Sequence, residues 1–233
     1  MTSLTASRHA ARRSATLASV RGVIFDLDGT LLDSEPLYRQ AFGDALAELD
    51  HTPDHALYNR LIGLATPDRL ERLTARYGPG FPRAAFQRAY VRHKQRCLRQ
   101  AVPLKSGATA LLAWLAGQRI PAAIATACSS STAQHHLRRP ELRDRFAAVM
   151  TRDHVRHRKP HPEVFLCAAQ ALRLRPEDCL VLEDSASGIE AANAAGAIPI
   201  LIPDLAEVPD NIRRKSFAEL PDLHAVRALL AGD

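Results

Sequence analysis

The sequence predicts an α/β fold: a parallel-sheet core interrupted near its start by a helical insert. Three observations carry this. After residue 103, short apolar runs alternate with helical patterns. One run of the same kind, residues 22–28, stands alone near the start. Between them, residues 35–100 show helical periodicity and no strand pattern.

Residues 22–28 are apolar until Asp26 and Asp28 and then meet Gly29, the pattern of a buried strand opening into a loop. Leu37, Phe42, Leu46 and Leu49 recur at helical intervals, as do Leu57 and Leu61, and then Leu70, Leu73 and Tyr77. Pro53, Pro67, Gly78-Pro79-Gly80 and Pro82 separate these helices. Beyond Pro103 come a helix over 108–118, a strand over 120–126, a helix through His135 and a strand over 146–150. A helix over 163–172, a strand over 179–182, a helix over 187–195 ended by Gly196, and a strand over 197–202 complete the pattern. Strands separated by helices imply right-handed βαβ units, whose ligands sit at the carboxyl ends of the strands. The expected organisation is an extension without order over 1–19, a core of 20–34 plus 104–233, and a cap over 35–103. Hinges fall at 34–36 and 101–105.

Composition narrows the function classes. The 233 residues are 46% apolar and 24% charged, enough for a sizeable core. No apolar run reaches the roughly 18–20 residues of a membrane span, and no membrane partner is expected. The net charge of +6 includes Arg8, Arg12, Arg13 and Arg21 in a stretch without acids, so the rest of the chain carries +2. Arg92, Lys94, Arg96 and Arg99 read as a solvated helix face, and no nucleic-acid partner is expected. Cys97, Cys128, Cys167 and Cys179 form no C-x-x-C pair and read as small packing thiols in a reducing, cytoplasmic setting. The N-terminus lacks the continuous apolar segment of a secretory signal. A monomer or homodimer is expected.

Four strand ends carry chemistry: Asp26-Leu27-Asp28, Thr126, Lys159 and Glu183-Asp184. In a parallel sheet they converge on one rim, and each suits phosphoryl transfer. Asp26 is the candidate nucleophile, forming an acyl-phosphate that splits one hard step into two. Carboxylates repel a phosphate dianion, so a cation is required. Asp26, Asp184 and Glu183 offer hard oxygens suited to Mg²⁺. Lys159 adds positive charge, and the Thr126 hydroxyl with the backbone from Ala127 onward forms a phosphate cradle. Asp28 is placed to protonate the leaving oxygen and then deprotonate the attacking water. Taken singly, each has a plainer explanation: Asp184 and Thr126 as helix caps, Lys159 as a surface residue. All four in one order outweigh those explanations. His154, His157 and His161 have metal-like spacing, but Pro160 and Pro162 break the helix that would align them, so no histidine metal site is expected.

The sequence resembles the haloacid dehalogenase-like hydrolase superfamily, closest to the branch of β-phosphoglucomutase and small sugar-phosphate phosphatases. The matching segments are Asp26-Leu27-Asp28-Gly29-Thr30-Leu31-Leu32-Asp33-Ser34, Thr126, Lys159-Pro160-His161-Pro162-Glu163, and Val181-Leu182-Glu183-Asp184-Ser185-Ala186-Ser187-Gly188-Ile189-Glu190-Ala191-Ala192. The resemblance covers about residues 20–230. It implies a Rossmann-like core with a helical cap, and metal binding by the Asp28 carbonyl. It also implies an Mg²⁺-dependent phosphatase acting on a small phosphorylated metabolite through an aspartyl-phosphate, with a β-phosphoglucomutase-like mutase as the alternative. Three positions depart from the pattern. Arg158 precedes the lysine where Gly is common, Tyr38 stands at a His position, and Thr66 at an Arg position. The last two weaken the mutase alternative. Glu35, Tyr38, Thr66 and Arg69 are the candidate cap residues facing substrate.

Overall fold

Six short strands, all parallel, form one sheet in the computed structural model, which describes residues 17–98 and 102–233. They are β1 (Gly22–Phe25), β2 (Ala122–Ala125), β3 (Ala148–Met150), β4 (Cys179–Glu183), β5 (Ile198–Leu201) and β6 (Ala218–Glu219), in the order β3-β2-β1-β4-β5-β6. From β1 the chain winds outward through β2 to β3, then returns to lay β4 on the other side of β1. That reversal opens a crevice between β1 and its neighbours at their carboxyl ends. Asp26 is the first residue past β1.

Every residue of β1, β2, β4 and β5 is buried. Such strands must be apolar on both faces, which is why they read as continuous runs rather than alternations. The two-residue period nevertheless sorts them. Val23, Phe25, Leu180 and Leu182 share one cluster with α5 (Ala108–Gly117) and α10 (Leu223–Ala231). Ile24, Val181 and Ala123 share the other with Val164, Phe165 and Ala168 of α7 (Glu163–Ala171). The small β2 residues leave room for that helix.

The insert holds α1 (Glu35–Ala47), α2 (His55–Leu61), α3 (Thr66–Tyr77) and α4 (Arg83–Cys97). Pro36 and Pro67 sit in the first turns of α1 and α3, where a missing N–H costs nothing. Asp54 caps α2 by accepting from Leu57 N at 2.8 Å. These helices share an apolar cluster of their own around Phe42, whose ring meets Phe86 edge-on at 5.6 Å and Tyr58 at 5.2 Å. The two connecting strands run side by side. Asp33 N donates to Pro103 O at 2.9 Å, Lys105 N donates to Leu31 O at 3.0 Å, and Leu32 bridges Leu104.

Beyond residue 202 the pattern gave no elements, and the structure adds three: α9 (Asp210–Arg213), β6 and α10. The helix after β2 is α6 (Ser130–Leu137) and the helix after β4 is α8 (Ala186–Ala194). Of the extension expected over 1–19, residues 1–16 lie outside the described residues, and Leu17–Ser19 lead into β1 with Val20 N donating to Leu17 O at 3.2 Å. Among the described residues no helix is long and apolar enough to cross a membrane.

Candidate active site

Strand register brings the candidate residues together. Phe25 pairs with Ile124 on one side and Leu182 on the other, so Asp26, Ala125 and Glu183 end three adjacent strands at one level. Lys159 closes this rim from the loop before α7. Its ammonium donates to Asp26 Oδ1 at 2.6 Å, to Glu183 Oε1 at 2.5 Å and to the Ala125 carbonyl at 3.0 Å. All three ammonium protons are thereby used on three strand ends. The lysine side chain is only 6% exposed, so it is not a surface residue.

Glu183 was expected among the metal ligands. Both of its oxygens are engaged: Oε1 by Lys159, and Oε2 by Ser185 N at 3.0 Å and Ser185 Oγ at 2.9 Å. This packing needs Gly188, because a Cβ there would lie 1.8 Å from the Glu183 carboxyl carbon. Ser185 also caps α8, accepting from Gly188 N at 3.0 Å, and Asp184 is therefore not the cap. The Asp184 carboxylate instead accepts from Thr30 Oγ1 at 3.2 Å. Gly29 has φ +82°, and a Cβ there would come within 2.4 Å of Asp184 Oδ2, so glycine leaves this acid its space.

The electrostatics are those of crowded, buried acids. Burial pushes the Asp26 carboxyl up to about 8, against the pull of Lys159 and with help from Glu183. Burial, then Glu183 and Asp26, push Asp184 well above the usual carboxylate range. For Lys159 burial acts downward, but Asp26 and Glu183 outweigh it and raise its pKa. Asp204, past the end of β5, adds a further acid whose side chain is 7% exposed. Lys105 donates to its Oδ1 at 2.9 Å while its Oδ2 has no partner. Asp26 and Asp184 with their hard oxygens, the glycine-cleared space and the unsatisfied Asp204 oxygen fit a small divalent cation.

At the end of β2 Thr126 is buried, and its Oγ1 accepts from Cys128 N at 3.1 Å, which leaves the hydroxyl proton free to donate. Ala127 is exposed beside it. The Cys128 thiol is pushed up to about 12, first by burial and then by Asp28, and stays protonated.

The structure divides the four cap candidates. Tyr38 is buried, and its hydroxyl donates to Asp28 Oδ1 at 2.8 Å. Burial and Asp28 raise its pKa, so it remains the donor. Glu35 is buried and accepts from Tyr58 Oη at 2.7 Å. Arg69 packs within the insert, donating to Leu64 O at 3.3 Å and lying 5.8 Å from the Tyr90 ring centre. Thr66 is exposed at the start of α3. Lys94 is a correction: expected on a solvated face, it holds its ammonium 3.5 Å from the centre of the Tyr38 ring.

Glu35 yields a pH prediction. Burial raises its carboxyl to about 7 from 4.5. Its contribution to stability is complete below pH 4.5 and is lost as pH rises toward 7, because the buried group must then ionise. Glu35→Gln removes that ionisation. The variant is expected to gain up to about 3 kcal/mol over wild type between pH 4.5 and pH 8. Urea unfolding of both proteins at the two pH values measures it, and a pH-independent difference between them would contradict the assignment.

Several solved or characterised proteins are similar to this chain. It is 34% identical over 175 residues to the fructose-1-phosphate phosphatase YqaB of Escherichia coli K12, covering 75% of this chain and 92% of that protein. It is 31% identical over 177 residues to the phosphorylated carbohydrates phosphatase of Thermotoga maritima, covering 76% and 82%. The crystal structure of a HAD family hydrolase from Deinococcus radiodurans R1 with bound phosphate and sodium superposes with a TM-score of 0.77 at 28% identity, covering 92% of this chain and 96% of that one. The family model of haloacid dehalogenase-like hydrolases matches residues 20–196, which span β1 to the end of α8 and include Asp26, Thr126, Lys159, Glu183 and Asp184, and the chain belongs to that family.

Proposed function

We propose that the protein is an Mg²⁺-dependent phosphatase acting on a small phosphorylated sugar or similar metabolite through an aspartyl-phosphate on Asp26. The observation that carries this reading is the Lys159 ammonium tied to Asp26, Ala125 O and Glu183 across three strand ends. The named phosphatases among the similar proteins support the substrate class.

Asp26 and Asp184, with the Asp28 carbonyl, would hold the cation, and Glu183 would serve as the anchor of Lys159. A bound Mg²⁺ supplies positive charge that offsets the dianion and orients it for in-line attack. Thr126 and the backbone at Ala127 grip the transferring phosphoryl oxygens, and the Lys159 ammonium, held by its three acceptors, adds positive charge beside them. Asp26 Oδ attacks phosphorus and the ester oxygen leaves, taking the proton of Asp28. Asp28 then removes a proton from the water that attacks the aspartyl-phosphate, and phosphate departs.

The insert over 35–103 acts as a cap on this rim. Tyr38 reaches Asp28 across the boundary, and Gly63 sits where a Cβ would touch Ser187 Oγ at 3.4 Å. Tyr38 bonds Asp28, Lys94 lies over the Tyr38 ring and Glu35 interacts electrostatically with Asp28, and these insert residues are the ones placed to sort substrates. Thr66 is exposed and Arg69 is turned to Leu64 O and the Tyr90 ring, an arrangement that favours hydrolysis over phosphoryl return to a sugar.

A screen of phosphorylated sugars, polyols and acids for phosphate release in Mg²⁺ tests the proposal. Activity is expected on sugar phosphates, to fall to background in excess EDTA and to return when Mg²⁺ is added back. Full turnover in EDTA would overturn it.

A further inference from the structure

The loop that carries Lys159 holds a group of side chains with no part in phosphoryl transfer. His154, His157 and His161 have the spacing of a helical metal face, and Pro160 and Pro162 do break that helix. The turn in its place brings two of the imidazoles together. His161 N donates to Arg158 O at 2.9 Å, and the rings of His157 and His161 face each other with centroids 4.5 Å apart and planes at 35°. His154 is turned elsewhere, its Nδ1 accepting from Thr151 N at 3.0 Å.

The third member is Glu163, the first residue of α7. Its Oε2 lies 3.1 Å from His157 Nδ1 and 3.9 Å from His161 Nδ1. One nitrogen from each imidazole and one carboxylate oxygen all fall within 4.8 Å of one another. Glu163 is fixed in place before any cation arrives: Oε1 accepts from Arg156 N at 3.0 Å and Oε2 from His157 N at 2.9 Å. Those backbone bonds hold its carboxyl below the usual range.

We propose that His157, His161 and Glu163 form a second cation site, for a divalent transition ion of the Zn²⁺ class, separate from the carboxylates around Asp26. Two imidazoles and a carboxylate are a borderline-soft set, matched to Zn²⁺ or Co²⁺ and poorly matched to Mg²⁺, which takes oxygen ligands. Three protein ligands on an exposed turn leave a fourth position for water. Arg156 and Arg158 add positive charge to the same loop, so binding rests on coordination and not on net charge. Lys159 lies between the two histidines in sequence, so an ion held there pins the backbone on both sides of the lysine that touches Asp26.

Co²⁺ is the probe, because its visible absorption reports nitrogen ligation and coordination number. The chelator-treated full chain is titrated with Co²⁺ in a large excess of Mg²⁺. One Co²⁺ per chain is expected to bind with visible bands and to be displaced by Zn²⁺. His157→Ala and His161→Ala, both exposed positions, are each expected to weaken binding at least about tenfold. Asp184→Asn is expected to leave the bands unchanged, since it alters only the core carboxylates. Circular dichroism confirms that each variant is folded. Absence of binding by the wild type at millimolar Co²⁺, equal binding by the double variant His157→Ala/His161→Ala, or loss of the bands in Asp184→Asn would each overturn the site. None of these results bears on the phosphatase reading, which the EDTA experiment decides by itself.

Discussion

Asp26→Asn is expected to lower turnover by at least about 10⁴-fold, the scale on which removing a nucleophile acts. The amide has nearly the same shape as the carboxylate, so the rim stays packed. Lys159 keeps Glu183 Oε1 and Ala125 O as acceptors, which hold its ammonium in place. Folding is not at risk from the loss of charge either. Burial already pushes the Asp26 carboxyl up to about 8, so this is a position where a negative charge costs stability. The variant should unfold at a similar denaturant concentration and still bind the product phosphate. Rapid quenching of wild type with substrate should reveal one phosphoryl group attached to the chain, and peptide mapping should place it on Asp26. The same quench with Asp26→Asn should show none. A variant that retains turnover within about tenfold of wild type would mean that the aspartate has a supporting part and another group attacks phosphorus.

The sheet and the site were legible in the sequence because one physical fact serves both. Strands buried on both faces read as apolar runs, and the first polar residue after each run marks a carboxyl end of the sheet. Asp26, Thr126 and Glu183-Asp184 were found this way. Lys159 corrects the expectation of a fourth strand end: β3 closes at Met150 and the lysine sits in the loop before α7, so only the Lys159-Pro160-His161-Pro162-Glu163 segment of the family resemblance points to it. Asp204 follows β5 by three residues, and the same strand-end logic reaches it without naming its role. Two of the misses have different causes. Strand β6 is two residues long, Ala218–Glu219, and a two-residue strand has no period to detect. Lys94 was grouped with Arg92 and Arg96 as one solvated face, yet residues two apart on a helix point about 200° apart. That geometry was available in the sequence: Arg92 turns to Glu48 while Lys94 turns to Tyr38. What spacing does not convey is the partner of each acid. Glu183 and Asp184 are equivalent as letters. Only the packing of Glu183 against Gly188 and Ser185 assigns one to Lys159 and leaves the other beside Thr30.

Asp28→Asn separates the acid–base step from the attack. The residue is one position beyond the end of the buried run, half-exposed at the boundary between core and insert, and its Oδ1 accepts the Tyr38 hydroxyl at 2.8 Å. An amide has no proton to give to a leaving alkoxide and cannot take one from water. Loss of about 10²–10⁴-fold is expected on a sugar phosphate, the usual worth of a general acid–base. On p-nitrophenyl phosphate, whose leaving group departs without a proton, the loss should be much smaller in the step that forms the aspartyl-phosphate. Quenched samples of Asp28→Asn with that substrate should then accumulate phosphorylated Asp26, because the hydrolytic step still lacks its base. Tyr38→Phe is the companion variant. It keeps the ring beneath Lys94 and deletes the bond that aims Asp28, a loss of about 1 kcal/mol, or roughly fivefold, for one hydrogen bond. If Tyr38 acts by positioning Asp28, that loss, read in the rate of aspartyl-phosphate formation, should appear on sugar phosphates and shrink on p-nitrophenyl phosphate, following the pattern of Asp28→Asn at smaller amplitude. In the double variant the effects should not add, since a tyrosine that aims an absent acid has nothing left to do. Equal loss on both substrates, or full additivity, would assign Tyr38 to packing of the insert and leave Asp28 to act without help from the cap.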